Sequence, residues 1–351
     1  SSPLAPVDVK VVNHLVAVLG HESRVLELVD PASGEKVKSI RLAQPPNGMA
    51  VDGATVYVAE GGARGVVEVV DLESGELKRS FPAGHTPMSP VLREGKLYVA
   101  CRFDSRVLEM DAAAGTVLNS WNVPREPVVL AVSPDGRKIW AAGHLPAGAA
   151  DGDFTAAALT LVEDGKAVHF PLSNGTQGVR GMAISPDGRY LAVAHVLSRY
   201  QAPTTQLDRG WMNTNAVTVI NTDEPDKPHP VLLDDPDAGA ANPWGVSFSG
   251  DGGKLFVTHA GTHELSVIDF PALLERMKRE DRSNEPVSER LGFLHGLRAR
   301  IALPLNGPRS VASDGKNVYV AGYFSDSLAE ISLKDARKSR AIPLNAPFRP
   351  S

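Results

Sequence analysis

The sequence predicts an all-β chain folded as a seven-bladed β-propeller with four-stranded antiparallel blades. Three observations carry that prediction. One strand–turn–strand unit recurs seven times along 351 residues, and fixed-period self-similarity marks a repeat architecture. Apolar residues alternate with period two inside each unit, which excludes a helical solenoid. Asp-Gly and Ser-Gly pairs separate the strands and accept the positive φ that tight hairpin turns require.

The second strand of each unit is the clearest element. Its end reads Leu15-Val16-Ala17-Val18, Val56-Tyr57-Val58-Ala59, Leu97-Tyr98-Val99-Ala100, Ile139-Trp140-Ala141-Ala142, Leu191-Ala192-Val193-Ala194, Leu255-Phe256-Val257-Thr258 and Val318-Tyr319-Val320-Ala321. Asp52-Gly53, Asp135-Gly136, Asp187-Gly188, Asp251-Gly252 and Asp314-Gly315 precede these strands as hairpin turns from the first strand. Third strands follow from Val25, Val67, Val107, Ala158, Val217, Leu265 and Leu328. Ser33-Gly34, Ser74-Gly75, Ala114-Gly115 and Asp164-Gly165 then turn the chain into fourth strands. The blades read as residues 1–43, 44–84, 85–124, 125–173, 174–234, 235–303 and 304–345, within one domain spanning 1–351. Val7 to Val11 supplies a first strand for blade one, with residues 346–351 as a competing partner at the ring closure.

Composition agrees with this fold and narrows the function. Hydrophobic residues make up 42%, and 32 Gly with 27 Pro suit many turns. A net charge of −5 without a basic stripe speaks against nucleic-acid binding. No apolar run reaches membrane-spanning length. Cys101 is the single cysteine, so the chain offers neither an internal disulfide nor a CxxCH haem-attachment motif. Its place at a strand end predicts a buried, structural thiol. The start, Ser1-Ser2-Pro3, reads as a processed or trimmed end.

Insertions in a repeat array concentrate on the binding face. Residues 144–154 and 196–214 interrupt blades four and five after their second strands, on the rim around one channel mouth. The blade-five stretch carries Tyr200, Arg209 and Trp211, the composition of an interaction hot spot or of a self-packed lid. Residues 270–299 interrupt blade six after its third strand. Leu273, Leu274 and Met277, then Val287, Leu291, Leu294 and Leu297, predict two short amphipathic helices there.

The same rim collects the candidate site. Arg102, His144, His195, His259 and Tyr323 start the loops after second strands, with His144 and His195 read at one repeat offset and His259 one residue earlier. Asn47, Met88, Arg180, Trp244 and Arg309 stand just before first strands. Three functions fit such a rim. The first is a non-catalytic scaffold that binds a protein domain or small ligand. The second is a lactonase-type hydrolase, for which Arg180, His195, His259 and Arg309 supply the basic groups but only Glu60 and Asp208 the acidic ones. The third is a metal site built from the imidazoles, although no HxH or HxxxH spacing supports it. No GxSxG element or phosphate loop is present. The shortage of acids favours the scaffold.

The YVA-ended repeat resembles the YVTN-type, WD40-like propeller family over nearly the whole chain. Three stretches, residues 199–216, 239–246 and 259–269, resemble propeller modules found ahead of c-type cytochrome domains similar to cytochrome c peroxidase. In those proteins the CxxCH motifs lie beyond the propeller. The resemblance implies a periplasmic, cell-surface or secreted setting and a role in docking a redox module. Any haem would then belong to an adjoining domain, with no cofactor in this chain.

Overall fold

The computed structural model describes residues 3–201, 203, 212–280, 289–336 and 338–344. Among them, each blade is a sheet of four consecutive strands. Blade one contains β1 (Pro6–Val12), β2 (Leu15–Gly20), β3 (Val25–Asp30) and β4 (Glu35–Arg41), and blade two β5 (Pro46–Asp52), β6 (Thr55–Glu60), β7 (Val66–Asp71) and β8 (Glu76–Pro82). Blade three contains β9 (Pro87–Arg93), β10 (Lys96–Cys101), β11 (Arg106–Asp111) and β12 (Val117–Asn122). Blade four contains β13 (Pro127–Val132), β14 (Ile139–Gly143), β15 (Ala158–Glu163) and β16 (Lys166–Pro171). Blade five contains β17 (Thr176–Ile184), β18 (Tyr190–Ser198), β19 (Asn213–Asn221) and β20 (His229–Leu232). Blade six contains β21 (Pro243–Phe248), β22 (Lys254–His259), β23 (Glu264–Asp269) and β24 (Arg298–Ala302), and blade seven β25 (Pro308–Ser313), β26 (Asn317–Gly322), β27 (Ser327–Ser332) and β28 (Ser339–Pro343). The predicted seven-bladed propeller is thus the observed fold.

The predicted turns form for the reason given. Gly53, Gly136, Gly188, Gly252 and Gly315 all have φ between 57 and 87°. In three of these turns a serine hydroxyl holds the aspartate: Ser133 on Asp135, Ser185 on Asp187 and Ser249 on Asp251, at 2.5–2.6 Å.

Each neighbouring pair of blades shares an apolar core. Second strands such as β22, with Leu255, Phe256 and Val257 fully buried, pack one face onto each neighbour. Among the described residues each blade is closed by its own strands. β1 pairs with β2 inside blade one. Leu4, Val9, Val16 and Val18 pack on Tyr319, Leu328, Ile342 and Leu344 of blade seven. Polar bonds reinforce this seam: Ala5 N–H donates to Asp326 Oδ1 at 2.8 Å, and Ser310 Oγ donates to Asp8 Oδ1 at 2.7 Å.

Two insertions differ from expectation. The blade-five insertion is partly strand, because β18 and β19 keep pairing through Leu197↔Thr214 and Ser198↔Asn213. Among the described residues the blade-six insertion contains one α-helix, α1 (Phe270–Glu280), where the sequence predicts two. Asp269 caps it, accepting from Ala272 N–H at 3.1 Å. Phe270 and Leu273 bury against blades five and six, and Phe270 meets Phe248 and Tyr190 edge-on at 4.9 and 5.7 Å. The described residues 291–296 form turns, with Gly292 and Gly296 at positive φ interrupting the second apolar stripe. Val287 and residues 346–351 lie outside the described residues.

Candidate functional site

The first strands of all seven blades line one cavity, and each contributes a residue near its start on the mouth side. Around the ring these are Val7, Asn47, Met88, Val128, Arg180, Trp244 and Arg309. In six blades this residue follows a proline. Together with their neighbours they line a cavity of about 230 Å³. All five positions expected just before first strands, Asn47, Met88, Arg180, Trp244 and Arg309, line it, and the last three meet. The guanidinium carbons of Arg180 and Arg309 each lie 4.4 Å from the Trp244 ring centroid. Arg309 also lies 3.3 Å from the ring centroid of Tyr323, which starts the loop after β26. Such contacts orient a guanidinium without neutralising it.

Arg102 and His144 extend the cluster. Arg102 Nε and Nη2 both donate to Glu126 Oε2, at 3.1 and 2.8 Å. His144 Nδ1–H donates to Val179 O at 2.8 Å, beside Arg180. Burial, opposed by that bond, and then the charges of Arg180 and Arg102 hold the imidazole below its ordinary pKa. It is therefore neutral near pH 7. Arg180 is solvent-exposed, yet the surrounding protein and the charges of Arg102 and Arg309 lower its pKa. Arg309 is lowered by burial.

His195 and His259 do not reach the mouth. Both occupy the last YVA-aligned position of their strands, the position of Glu60 and Cys101, whereas His144 stands one residue later. Successive strand residues face opposite sides of the sheet, and this position faces the interior. Both histidines are fully buried. His195 Nε2 meets Thr218 Oγ1 at 2.6 Å, and His259 Nε2 meets Ser266 Oγ at 2.7 Å. Their Nδ1 atoms contact the carbonyls of Val196 and Ala240 at 3.1 Å. With a hydroxyl on one ring nitrogen and a carbonyl on the other, no lone pair is left for a metal. Burial holds His195 at about 4 and His259 at about 3. Among the described residues no group of three His, Cys, Asp or Glu side chains is arranged to hold a metal ion.

Glu60 is also fully buried, and desolvation, aided by Glu68, pushes its carboxyl up to about 9. It is no counterpart to the mouth arginines. Cys101 is buried, its S–H donates to Ala83 O at 3.0 Å, and burial pushes the thiol up to about 12.

Tyr200 serves a different contact. Its hydroxyl donates to Asp153 O at 3.1 Å and lies 3.0 Å from Asn174 Oδ1, while Gln201 Nε2 donates to Asp153 O at 2.6 Å. The two mouth-side insertions therefore clasp one another. Arg209 and Trp211 lie outside the described residues.

Sequence reasoning found Tyr200 but missed Glu126 and three further exposed aromatics, Phe103, Phe154 and Phe324. The four aromatics are 42–72% exposed. All four stand on loops between second and third strands, hence on the mouth face. Arg102-Phe103-Asp104-Ser105 and Tyr323-Phe324-Ser325-Asp326 were the signal, since both place an aromatic in an otherwise polar loop.

No family model matches the chain. The chain is 28% identical over 213 residues to hydrazine synthase subunit beta of Kuenenia stuttgartiensis, an alignment covering 58% of this chain and 53%, about half, of that protein. In structure it superposes on a chain of Kuenenia stuttgartiensis hydrazine synthase with a TM-score of 0.84 at 22% identity, covering 94% of this chain and 96% of that one. A streptogramin B lyase follows at a TM-score of 0.64 and 14% identity, covering 92% and 91% of the two chains. The structural matches show the fold alone, and the sequence match adds a likeness to one subunit of a synthase.

Proposed function

We propose that this propeller is a non-catalytic docking module whose mouth face seats a partner protein domain. The observation that carries the reading is that, among the described residues, the four exposed aromatics all stand on loops of the mouth face, with Phe103 against Arg102 and Phe324 against Arg309 of the Arg–Trp–Arg cluster. Arg and aromatic residues dominate interface hot spots. The sequence relative is by name a subunit, which supports a place in an assembly. The partner proposed is a c-type cytochrome domain in a periplasmic or cell-surface setting. Covalent haem attachment uses two thiols, and this chain supplies only buried Cys101, so the haem would belong to that partner. The hydrolase alternative finds little support in the described acids: Glu60 is buried and protonated, and Glu126 is held by Arg102, while Asp208 lies outside the described residues.

The test is affinity purification of the tagged chain from its native host, alongside the double variant Phe103→Ser/Phe324→Ser. A stoichiometric partner with a c-type haem spectrum, lost in the variant, supports the reading. A monomeric wild-type chain, or a partner held equally by the variant, overturns it.

A further inference from the structure

The channel mouth is chemically two-sided. Blades one to four present Val7, Met88 and Val128 together with two polar groups already engaged. These are Asn47, whose amide donates to Gly61 O and Pro87 O, and Asp8, whose carboxylate accepts from Ser310 Oγ and Met49 N–H. Blades five to seven instead present Arg180, Trp244 and Arg309. Glycines create the second arc. A Cβ on Gly181 would lie 2.0 Å from Trp244 O, and one on Gly245 would lie 2.1 Å from Arg309 O. The three strands can approach this closely only without side chains there, and the approach sets Arg180 and Arg309 on the strands flanking Trp244.

The charge of this arc is unbalanced. Glu126 neutralises Arg102. Among the described residues neither Arg180 nor Arg309 has a carboxylate within salt-bridge distance, and Arg180 has no hydrogen-bond partner. Concentrating like charge in a cleft costs free energy and raises the local concentration of anions. Planar guanidiniums fixed on aromatic rings match carboxylates in geometry and lose little further entropy on binding one.

We propose that the channel mouth binds a small organic acid, its carboxylate held by Arg180 and Arg309 and its hydrocarbon part against Met88 and Val128. The cavity of about 230 Å³ equals the share of roughly seven or eight liquid waters, room for a short-chain acid. An inorganic oxyanion would use the cationic arc and leave the apolar arc wet. This site needs no partner, so its failure and that of the docking reading are distinguishable.

The probe is butyrate, titrated calorimetrically into the purified chain at constant ionic strength, with inorganic phosphate and butanol as controls. The expected result is saturable butyrate binding, weaker phosphate binding and none by butanol. Arg180→Gln and Arg309→Gln should each weaken butyrate about tenfold or more, the scale of a charged hydrogen bond. Arg180 carries no structural bond, so Arg180→Gln keeps the test valid if Arg309→Gln is unstable. No saturation, equal binding of phosphate and butyrate, or unchanged affinity in a folded Arg180→Gln would each overturn the proposal.

Discussion

Gly245 stands where blade six presses on blade seven, and Gly245→Ala tests whether that contact holds the Arg–Trp–Arg ladder. A Cβ there would lie 2.1 Å from Arg309 O and 3.2 Å from Thr258 Oγ1, with no left-handed φ to add strain. The nearer atom is backbone, so no rotamer change relieves it and the strands must part. Overpacking of this kind costs about 1–3 kcal/mol. Parting also stretches a relay in which Gly245 N–H donates to Thr258 Oγ1 and Thr258 Oγ1 donates to Arg309 O, each at 2.8 Å. Each such bond contributes about 1 kcal/mol. The expected loss is therefore about 3–5 kcal/mol. At about 2.1 cal/mol/K per residue, 351 residues give an unfolding entropy of roughly 0.7 kcal/mol/K, so Tm should fall by about 4–7 °C. Differential scanning calorimetry measures it, and near-UV circular dichroism follows the Trp244 environment. Gly48→Ala is the control: its Cβ would meet Pro90 Cδ at 3.2 Å and Ser89 N at 3.3 Å, so its Tm change should be smaller. A Gly245→Ala protein melting within about 1 °C of wild type would refute the reasoning.

Stability should peak near pH 6.5. His195 and His259 have folded pKa values of about 4 and 3, below the ordinary 6.5. Their contribution is present above pH 6.5 and is lost as pH falls towards the folded values, by up to about 1.4 kcal/mol per group per pH unit. Glu60 has the opposite sign. Its folded value of about 9 exceeds 4.5, so its contribution is present below pH 4.5 and is lost as pH rises to about 9. Two histidines outweigh one glutamate between pH 4.5 and 6.5, and above that the glutamate acts alone. Urea titrations across this range check it, and stability still rising from pH 7 to 9 would contradict the assignment. Cys101 should resist thiol reagents in the native state at pH 8, with full labelling only in denaturant; rapid native labelling would refute its burial. Trp140→Ala, at a fully buried site, should cost about 3–5 kcal/mol, and a loss below 1 kcal/mol by urea unfolding would show that the blade four–five core collapses around the gap.

Local chemistry made the fold legible. Period-two alternation and glycine-bearing turns act within a few residues, so Tyr57-Val58-Ala59 or Asp187-Gly188 announces a strand or hairpin without reference to the rest of the chain. The mouth residues Arg102, Arg180, Trp244, Arg309 and Tyr323 followed from their place in the repeat, because equivalent positions return to the same rim. Pairing and facing were not local. Glu126 meets Arg102 across a blade boundary. A one-residue difference at the end of the second strand separates exposed chemistry from buried structure: His144 lies at the rim, while His195 and His259 bond inside their blades. Only the closed ring decided that two arginines 129 positions apart would flank one tryptophan, because that depends on how closely glycine lets neighbouring strands approach.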